Sequence, residues 1–322
     1  MTPWNLLALT PLPPEALRGL LAPLGDRVTL SFARDRAAME AALPQAEIVL
    51  GDWSAGLAMD AAAVAAAPRL AFVQQPSVGV DGHDLAALSA AGVPLANTAG
   101  VSAVAVAEWC LGAALTLSRR LVAADAAVRA GGWPQLDLGP RELSGSHVGV
   151  VGYGPIGQEC ARLFGALGCR VSHWTRTPRG EGYAPLEEVV ATADVLVVVI
   201  ALSDETRGLV DPARMKKGAL LVNAARGGVV DQRALAAALR EGHLGGAALD
   251  VFDTEPLPPD DPLRDLTSVL LSPHVAGVTP QSTGRLVASV VGNLTAAVEE
   301  KKIENVVNDA PARIRRRDGS GK

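Results

Sequence analysis

HVGVVGYGPIGQECARLFGALGCRVSHW, residues 147–174, fixes the reading of this chain. An apolar run ends in GYGPIG, the glycines open a stretch of helical period, and a second apolar run, RVSHW, follows. Strand, tight turn, helix and strand in that order read as a dinucleotide-binding βαβ unit. Gly152 permits the tight turn, Gly154 lets backbone approach a pyrophosphate, and Gly157 allows the helix to pack closely on the strand, with Pro155 and Ile156 opening the helix. The second strand should end on the residue that reads the adenosine ribose. An NAD-specific site would place Asp or Glu there, whereas this chain has Thr175-Arg176-Thr177. With no carboxylate at that point, and with a guanidinium and two hydroxyls to bind a 2′-phosphate, NADP is the expected cofactor and NAD the alternative.

The same βα rhythm extends in both directions. Downstream, DVLVVVIA, ALLVNA, GAALDV and SVLLS are strand candidates, and Asp231 stands as N-cap of the helix in DQRALAAALREG. Upstream, from Trp4 to about Asn97, the runs NLLAL, VTLSF, AEIVL and LAFVQ alternate with Ala/Leu-rich stretches, which implies a second parallel sheet. Between the two series, VSAVAVAEWCLGAALTLSRRLVAADAAVRAG reads as one long apolar helix, stopped by Gly131-Gly132-Trp133-Pro134.

Composition narrows the function. Of the 322 residues 49% are hydrophobic and 20% charged, without an apolar run fit to span a bilayer. MTPWNLLALTPLPPEAL lacks the basic start and unbroken apolar core of a signal peptide, so a cytoplasmic location is expected. Three cysteines without CxxC or Cys/His spacing read as small buried residues rather than disulfides or metal ligands, and no metal is expected. A net charge of −5 with dispersed basic residues offers no nucleic-acid footprint, and the basic ARIRRRDGSGK end is expected to be solvated.

Three residues then stand just after successive strands: Arg226 in NAARGGVVD, Glu255 in ALDVFDTEPLP and His274 in LLSPHVAG. Ligands of open α/β sheets sit outside the carboxyl ends of strands, so one substrate could meet all three. Arg226 offers a fork of donors for a carboxylate and a keto oxygen. His274 can deliver a proton as hydride arrives at carbon, and Glu255 can orient its ring. Asp250, ending its strand, is placed to meet the nicotinamide carboxamide, with Ala224 also on the cofactor side. Trp53 in VLGDWSAGL is a candidate wall of the substrate pocket. His83, His147, His173 and His243 read as surface or strand-edge residues.

From about Ala46 to Asn308 the ordered motifs SVGVDGHD, VAEWCLGAAL, VGYGPIGQECA, DETRGLV, NAARGGVVD, ALDVFDTEP and SPHVAG resemble the D-isomer-specific 2-hydroxyacid dehydrogenases, the family of glyoxylate/hydroxypyruvate reductases and phosphoglycerate dehydrogenases. The resemblance implies two doubly wound parallel-sheet α/β domains, a Rossmann cofactor domain inserted in a flavodoxin-like substrate domain. Residues 1–98 and 276–310 would form the discontinuous substrate domain, 99–275 the dinucleotide-binding domain with a dimerisation helix and arm, and 311–322 a disordered tail. It also implies Arg226, Glu255 and His274 as catalytic residues, Val78 and Gly79 as the loop whose amides hold the substrate carboxylate, and a homodimer in which Trp133 reaches the partner's site. The expected reaction is reduction of a small 2-keto acid, glyoxylate or hydroxypyruvate first. A phosphoglycerate dehydrogenase-like activity and a dinucleotide-sensing, corepressor-like binding protein are the alternatives. Formate dehydrogenases of this fold carry glutamine where Glu255 stands. The chain as given also ends without the regulatory extension of some phosphoglycerate dehydrogenases, so serine feedback is not expected.

Overall fold

The computed structural model describes residues 2–52 and 56–317. The chain divides into two compact units, the first running to Val101 and resuming at Pro280, the second Ser102–Thr279. In the first, β1 (Trp4–Ala8), β2 (Val28–Phe32), β3 (Ile48–Leu50), β4 (Phe72–Gln74) and β5 (Leu95–Ala96) form a wholly parallel sheet in the order β2-β1-β3-β4-β5. Four helices alternate with the strands: α1 (Pro14–Leu20), α2 (Arg36–Ala42), α3 (Ala61–Ala65) and α4 (Leu85–Ala90). Asp35, Asp60 and Asp84 cap the last three, each accepting from the amide three residues on.

The second unit opens with α5 (Ala103–Ser118) and α6 (Leu121–Arg129). Its sheet comprises β6 (His147–Val151), β7 (Arg170–Trp174), β8 (Val195–Val198), β9 (Leu220–Asn223), β10 (Gly246–Leu249) and β11 (Val269–Leu271), ordered β11-β10-β9-β8-β6-β7 and again parallel throughout. α7 (Pro155–Ala166), α8 (Leu186–Thr192) and α9 (Gln232–Arg240) join these strands, and α10 (Pro280–Val298) returns the chain to the first unit. Asp231 caps α9 through Ala234 N at 2.9 Å. The strand order reverses between β6 and β8, and at such a switch point the carboxyl ends leave a crevice for ligand.

The central strands of each sheet are covered on both faces and buried along their length, whereas the edge strands β2 and β7 are partly exposed. In the first unit Leu6, Ile48, Leu50 and Phe72 pack with Leu17 of α1 and Leu294 of α10, while Leu7, Val49 and Val73 face Met39, Leu43 and Leu88. In the second, α5 supplies Ala107, Cys110 and Ala114 to one face, together with Cys160 and Phe164 of α7. All three cysteines are buried and free. Among the described residues no helix is long and apolar enough to cross a membrane, and no group of His, Cys, Asp or Glu could hold a metal ion.

Two expectations need correction. The single apolar helix after Val101 is two, broken where Arg120 adopts a left-handed φ of 54°. α5 buries eight of its 16 residues, whereas α6 buries none and leaves Leu121, Val122 and Val128 exposed. The basic end is not simply solvated either, because through Arg317 it packs on the first unit. Ile314 is buried, Arg317 donates to the carbonyls of Ala91 and Gly92, and the guanidinium of Arg316 lies over Trp4. Arg316 also grips Glu47 with two hydrogen bonds, 2.6 Å to Oε1 and 2.8 Å to Oε2. Local charge pattern could not show this, since the partner carboxylate lies 269 positions away.

Glu47 has no exposed side-chain surface. Burial pushes its carboxyl up, but the Arg316 bonds and the Asn5 amide outweigh that and hold it below its ordinary value. A depressed carboxyl contributes stability above its unfolded pKa of about 4.5 and loses it as pH falls through the folded value. Arg316→Ala should therefore destabilise the first unit by about 3 kcal/mol at neutral pH and move acid unfolding to higher pH, both read by denaturant titration.

Candidate active site

The glycine loop after β6 has the shape its residues imply. Gly152 has φ 102°, and a Cβ there would stand 2.8 Å from the carbonyl oxygen of Val199. A Cβ on Gly157 would stand 2.0 Å from Gly152 O, so the helix lies against the turn at a distance closed to any side chain. Gly154 is the N-cap of α7, with nothing within 4 Å of where its Cβ would be. Open space thus fronts the first amides of a 12-residue helix whose first residue is proline, a setting that suits a pyrophosphate. The residues present fit a dinucleotide.

At the end of β7 the expectation of a rim without carboxylate is only half met. Arg176 Nη1 lies 3.1 Å from Glu205 Oε2, both side chains being exposed. The carboxylate arrives from the loop after β8 rather than from the strand end, beyond the reach of a local motif. His173 is buried, not superficial: its ring stacks on Tyr153 of the glycine loop at 3.4 Å, and Nε2 donates to the carbonyl of Arg179 at 2.8 Å. Arg179 in turn donates to Tyr153 O, so this histidine ties the ribose-side loop to the phosphate loop. His147 is buried as well, bonded to Thr192 O and Ser172 Oγ.

Arg226, Glu255 and His274 follow β9, β10 and β11. Asn223 shapes the first turn, accepting from Ala225 N at 3.0 Å and donating to Arg226 O at 3.2 Å. Arg226 is half-buried and its Nη1 donates to Ala225 O. The next residue, Gly227, lies so close to the chain after β10 that a Cβ would stand 2.0 Å from the carbonyl carbon of Phe252. That approach seats the arginine turn against the segment leading to Glu255.

Glu255 accepts from Phe252 N at 3.0 Å through Oε1, and its Oε2 lies 2.8 Å from His274 Nδ1. An ionised carboxylate can only accept, so Nδ1 carries a proton and Nε2 is the ring atom left for chemistry. The histidine side chain is 48% exposed, which lets its proton be replaced from solvent. His274 itself takes a left-handed φ of 56°, uncommon without glycine, and the turn is held from behind. Asp250 O accepts from His274 N, Asp250 Oδ1 from Ser272 Oγ at 2.5 Å and Val275 N at 2.8 Å, and Oδ2 from Ala276 N at 2.8 Å. Asp250 is 2% exposed, and its carboxylate holds the histidine turn. Ser272, Asn223 and Gly227 were missed because Ser272 and Gly227 meet a distant segment and Asn223 serves the backbone of its own turn, none of which a motif displays.

Val78 and Gly79 belong to the first unit, in the loop after β4. Trp53 lies outside the described residues.

Residues 111–276 match the family model for the D-isomer specific 2-hydroxyacid dehydrogenase NAD binding domain. The glyoxylate reductase of Korarchaeum cryptofilum is 36% identical over 272 residues, 80% of this chain and 82% of that one. The chain belongs to the D-isomer-specific 2-hydroxyacid dehydrogenases. The D-3-phosphoglycerate dehydrogenase of Mycobacterium tuberculosis is 36% identical over 89% of this dehydrogenase, which spans 56% of that longer protein. Among solved structures, the TT0316 protein of Thermus thermophilus superposes with a TM-score of 0.82 at 35% identity, covering 94% of this chain and 99% of that one. The protein is thus an NAD(P)-dependent oxidoreductase acting between 2-keto and 2-hydroxy acids.

Asp250→Ala would release the turn that aims His274 while leaving every group of the Glu255–His274 pair in place. A displacement of about 1 Å at a reacting group costs on the order of 10²-fold, and kcat should fall by that much in steady-state assays. Loss of less than about threefold would show that the turn holds its shape unaided.

Proposed function

We propose that this dehydrogenase reduces small 2-keto acids, glyoxylate and hydroxypyruvate foremost, to the D-2-hydroxy acids, and prefers NADPH to NADH. The observation that carries the reaction is the array Phe252 N–Glu255–His274, which orients the imidazole through Nδ1 and leaves Nε2 as the ring atom for proton transfer. Bound nicotinamide supplies the hydride. Arg226 holds the keto acid and polarises its carbonyl, while the amides of Val78 and Gly79 hold the carboxylate. His274 Nε2 gives its proton to the carbonyl oxygen as the carbon is reduced; the ring becomes neutral and is reprotonated from solvent.

Preference for NADPH rests on Arg176, with Thr175 and Thr177 beside it. Its partner Glu205 is exposed, and an exposed ion pair is worth little, so a 2′-phosphate can take the carboxylate's place. A homodimer is supported by the uncovered apolar side chains on and after α6, where Trp133 is 78% and Leu136 92% exposed. Following the family resemblance, Trp133 would reach toward the partner's site.

The test compares oxidation of NADPH and NADH with glyoxylate, hydroxypyruvate, pyruvate and 3-phosphohydroxypyruvate. Faster turnover with NADPH and the two small acids supports the reading, whereas preference for the phosphorylated acid favours a phosphoglycerate dehydrogenase-like role. His274→Ala and Arg226→Ala should each lower kcat by about 10²–10⁴-fold with nucleotide binding retained. Arg176→Ala should lower kcat/KM for NADPH by about tenfold and spare NADH; equal losses with both would sink the cofactor assignment.

A further inference from the structure

Within the first unit, the loop Pro76-Ser77-Val78-Gly79-Val80 has three successive carbonyls held. Ser77 O accepts from Thr98 N at 3.1 Å, Val78 O from Asn97 Nδ2 at 2.7 Å, and Gly79 O from Ser77 Oγ at 2.9 Å. Asn97 cannot be turned over, because its Oδ1 accepts from Ala99 N. A trans peptide is planar, with C=O and N–H pointing opposite ways. Since neighbouring residues 97 and 98 hold the first two carbonyls, the amides of Val78 and Gly79 are both aimed away from that segment. Two successive N–H groups on one side make a cradle for an anion.

The third anchor continues inward as a relay of one fixed direction. Met59 N donates to His83 Nδ1 at 3.2 Å, and His83 Nε2 meets Gln75 Oε1 at 3.1 Å. Gln75 Nε2 donates to Ser77 Oγ at 2.9 Å and to Asp52 O at 3.0 Å. A backbone amide can only donate, so Nδ1 is bare, Nε2 bears the proton, and the Gln75 amide is oriented with its nitrogen toward Ser77. The serine hydroxyl, accepting from Gln75, has its own proton left for Gly79 O. Gln75 is 1% exposed and His83 9%. Space for them is reserved, since a Cβ on Gly51 would stand 2.2 Å from Gln75 Oε1. Burial pushes His83 down to about 4, against the opposing pull of Asp81, so the ring stays neutral and the relay keeps its direction at working pH.

We infer that His83 is a positioning residue for the substrate carboxylate, acting through Gln75 and Ser77 on the peptide planes that aim the Val78 and Gly79 amides. The inference rests on the reading of that loop as the carboxylate holder and adds what sets its specificity for an anion: a buried relay that fixes the loop before substrate arrives.

Full-length variants can separate its parts. In His83→Asn the side-chain oxygen can still accept from Met59 N, but no donor reaches Gln75. His83→Gln places an N–H where Nε2 was, and Ser77→Ala cuts the last link without touching the buried ring. With glyoxylate and saturating nucleotide, His83→Asn and Ser77→Ala should raise KM for the keto acid about tenfold, with kcat within about twofold and nucleotide KM unchanged. His83→Gln should restore KM to within about threefold of the parent. Parental KM in both broken variants, equal KM in the Asn and Gln variants, or a fall in kcat at constant KM would overturn the inference. Ser77→Ala decides alone if His83→Asn fails to fold, as shown by its melting temperature. Gly79→Pro, which deletes one amide donor, tells the two readings apart. If it raises KM while the relay variants do not, only the relay falls; if it too leaves KM unchanged, the carboxylate loop falls with it.

Discussion

The Asp250 carboxylate organises the catalytic end of the second unit. It ends a buried strand, where an ionised group is tolerated only if its lone pairs are taken, and three donors from the next strand's turn take them. The left-handed backbone of His274 is stabilised by that arrangement, and the ring can then reach Glu255. Removing the carboxylate would leave one hydroxyl and two amide donors of that turn without this acceptor. Catalytic geometry here depends on satisfying a strand end.

Close backbone approach is the second recurring device. Gly152, Gly157 and Gly227 all stand where a Cβ would fall within 3 Å of another segment's backbone. Two of them set the phosphate turn against its helix and neighbouring strand, and the third seats the arginine turn against the segment that carries the glutamate. Chemistry drawn from separate strands needs their loops near one another, and the missing side chains permit it.

Central strands were legible because two-sided burial makes them apolar runs, and the edge strands RVSHW and VTLSF, though partly exposed and carrying polar side chains, coincide with β7 and β2 to the residue. β5, only two residues long, carries no such signal. The pairing of Glu255 with His274 could be anticipated, since both follow adjacent parallel strands and so reach one rim. Hydrophobicity continues across the break at Arg120, so the two helices looked like one. The histidines were misjudged for a related reason. A polar residue looks superficial until its partners are known, and those of the His83 ring are the Met59 amide and the Gln75 side chain. Gln74-Gln75, two amides at the end of an apolar strand, was the available hint of a buried polar relay.

The latch between Arg316 and Glu47 bears on how the chain is made. Glu47 is synthesised before the second unit and Arg316 after it, and α10, which covers one face of the first sheet, also comes after the whole second unit. On the ribosome the second unit has all its strands before the first can close. Until then Leu6, Ile48 and Phe72 lack the cover of Leu294, an interval in which uncovered apolar surface favours aggregation.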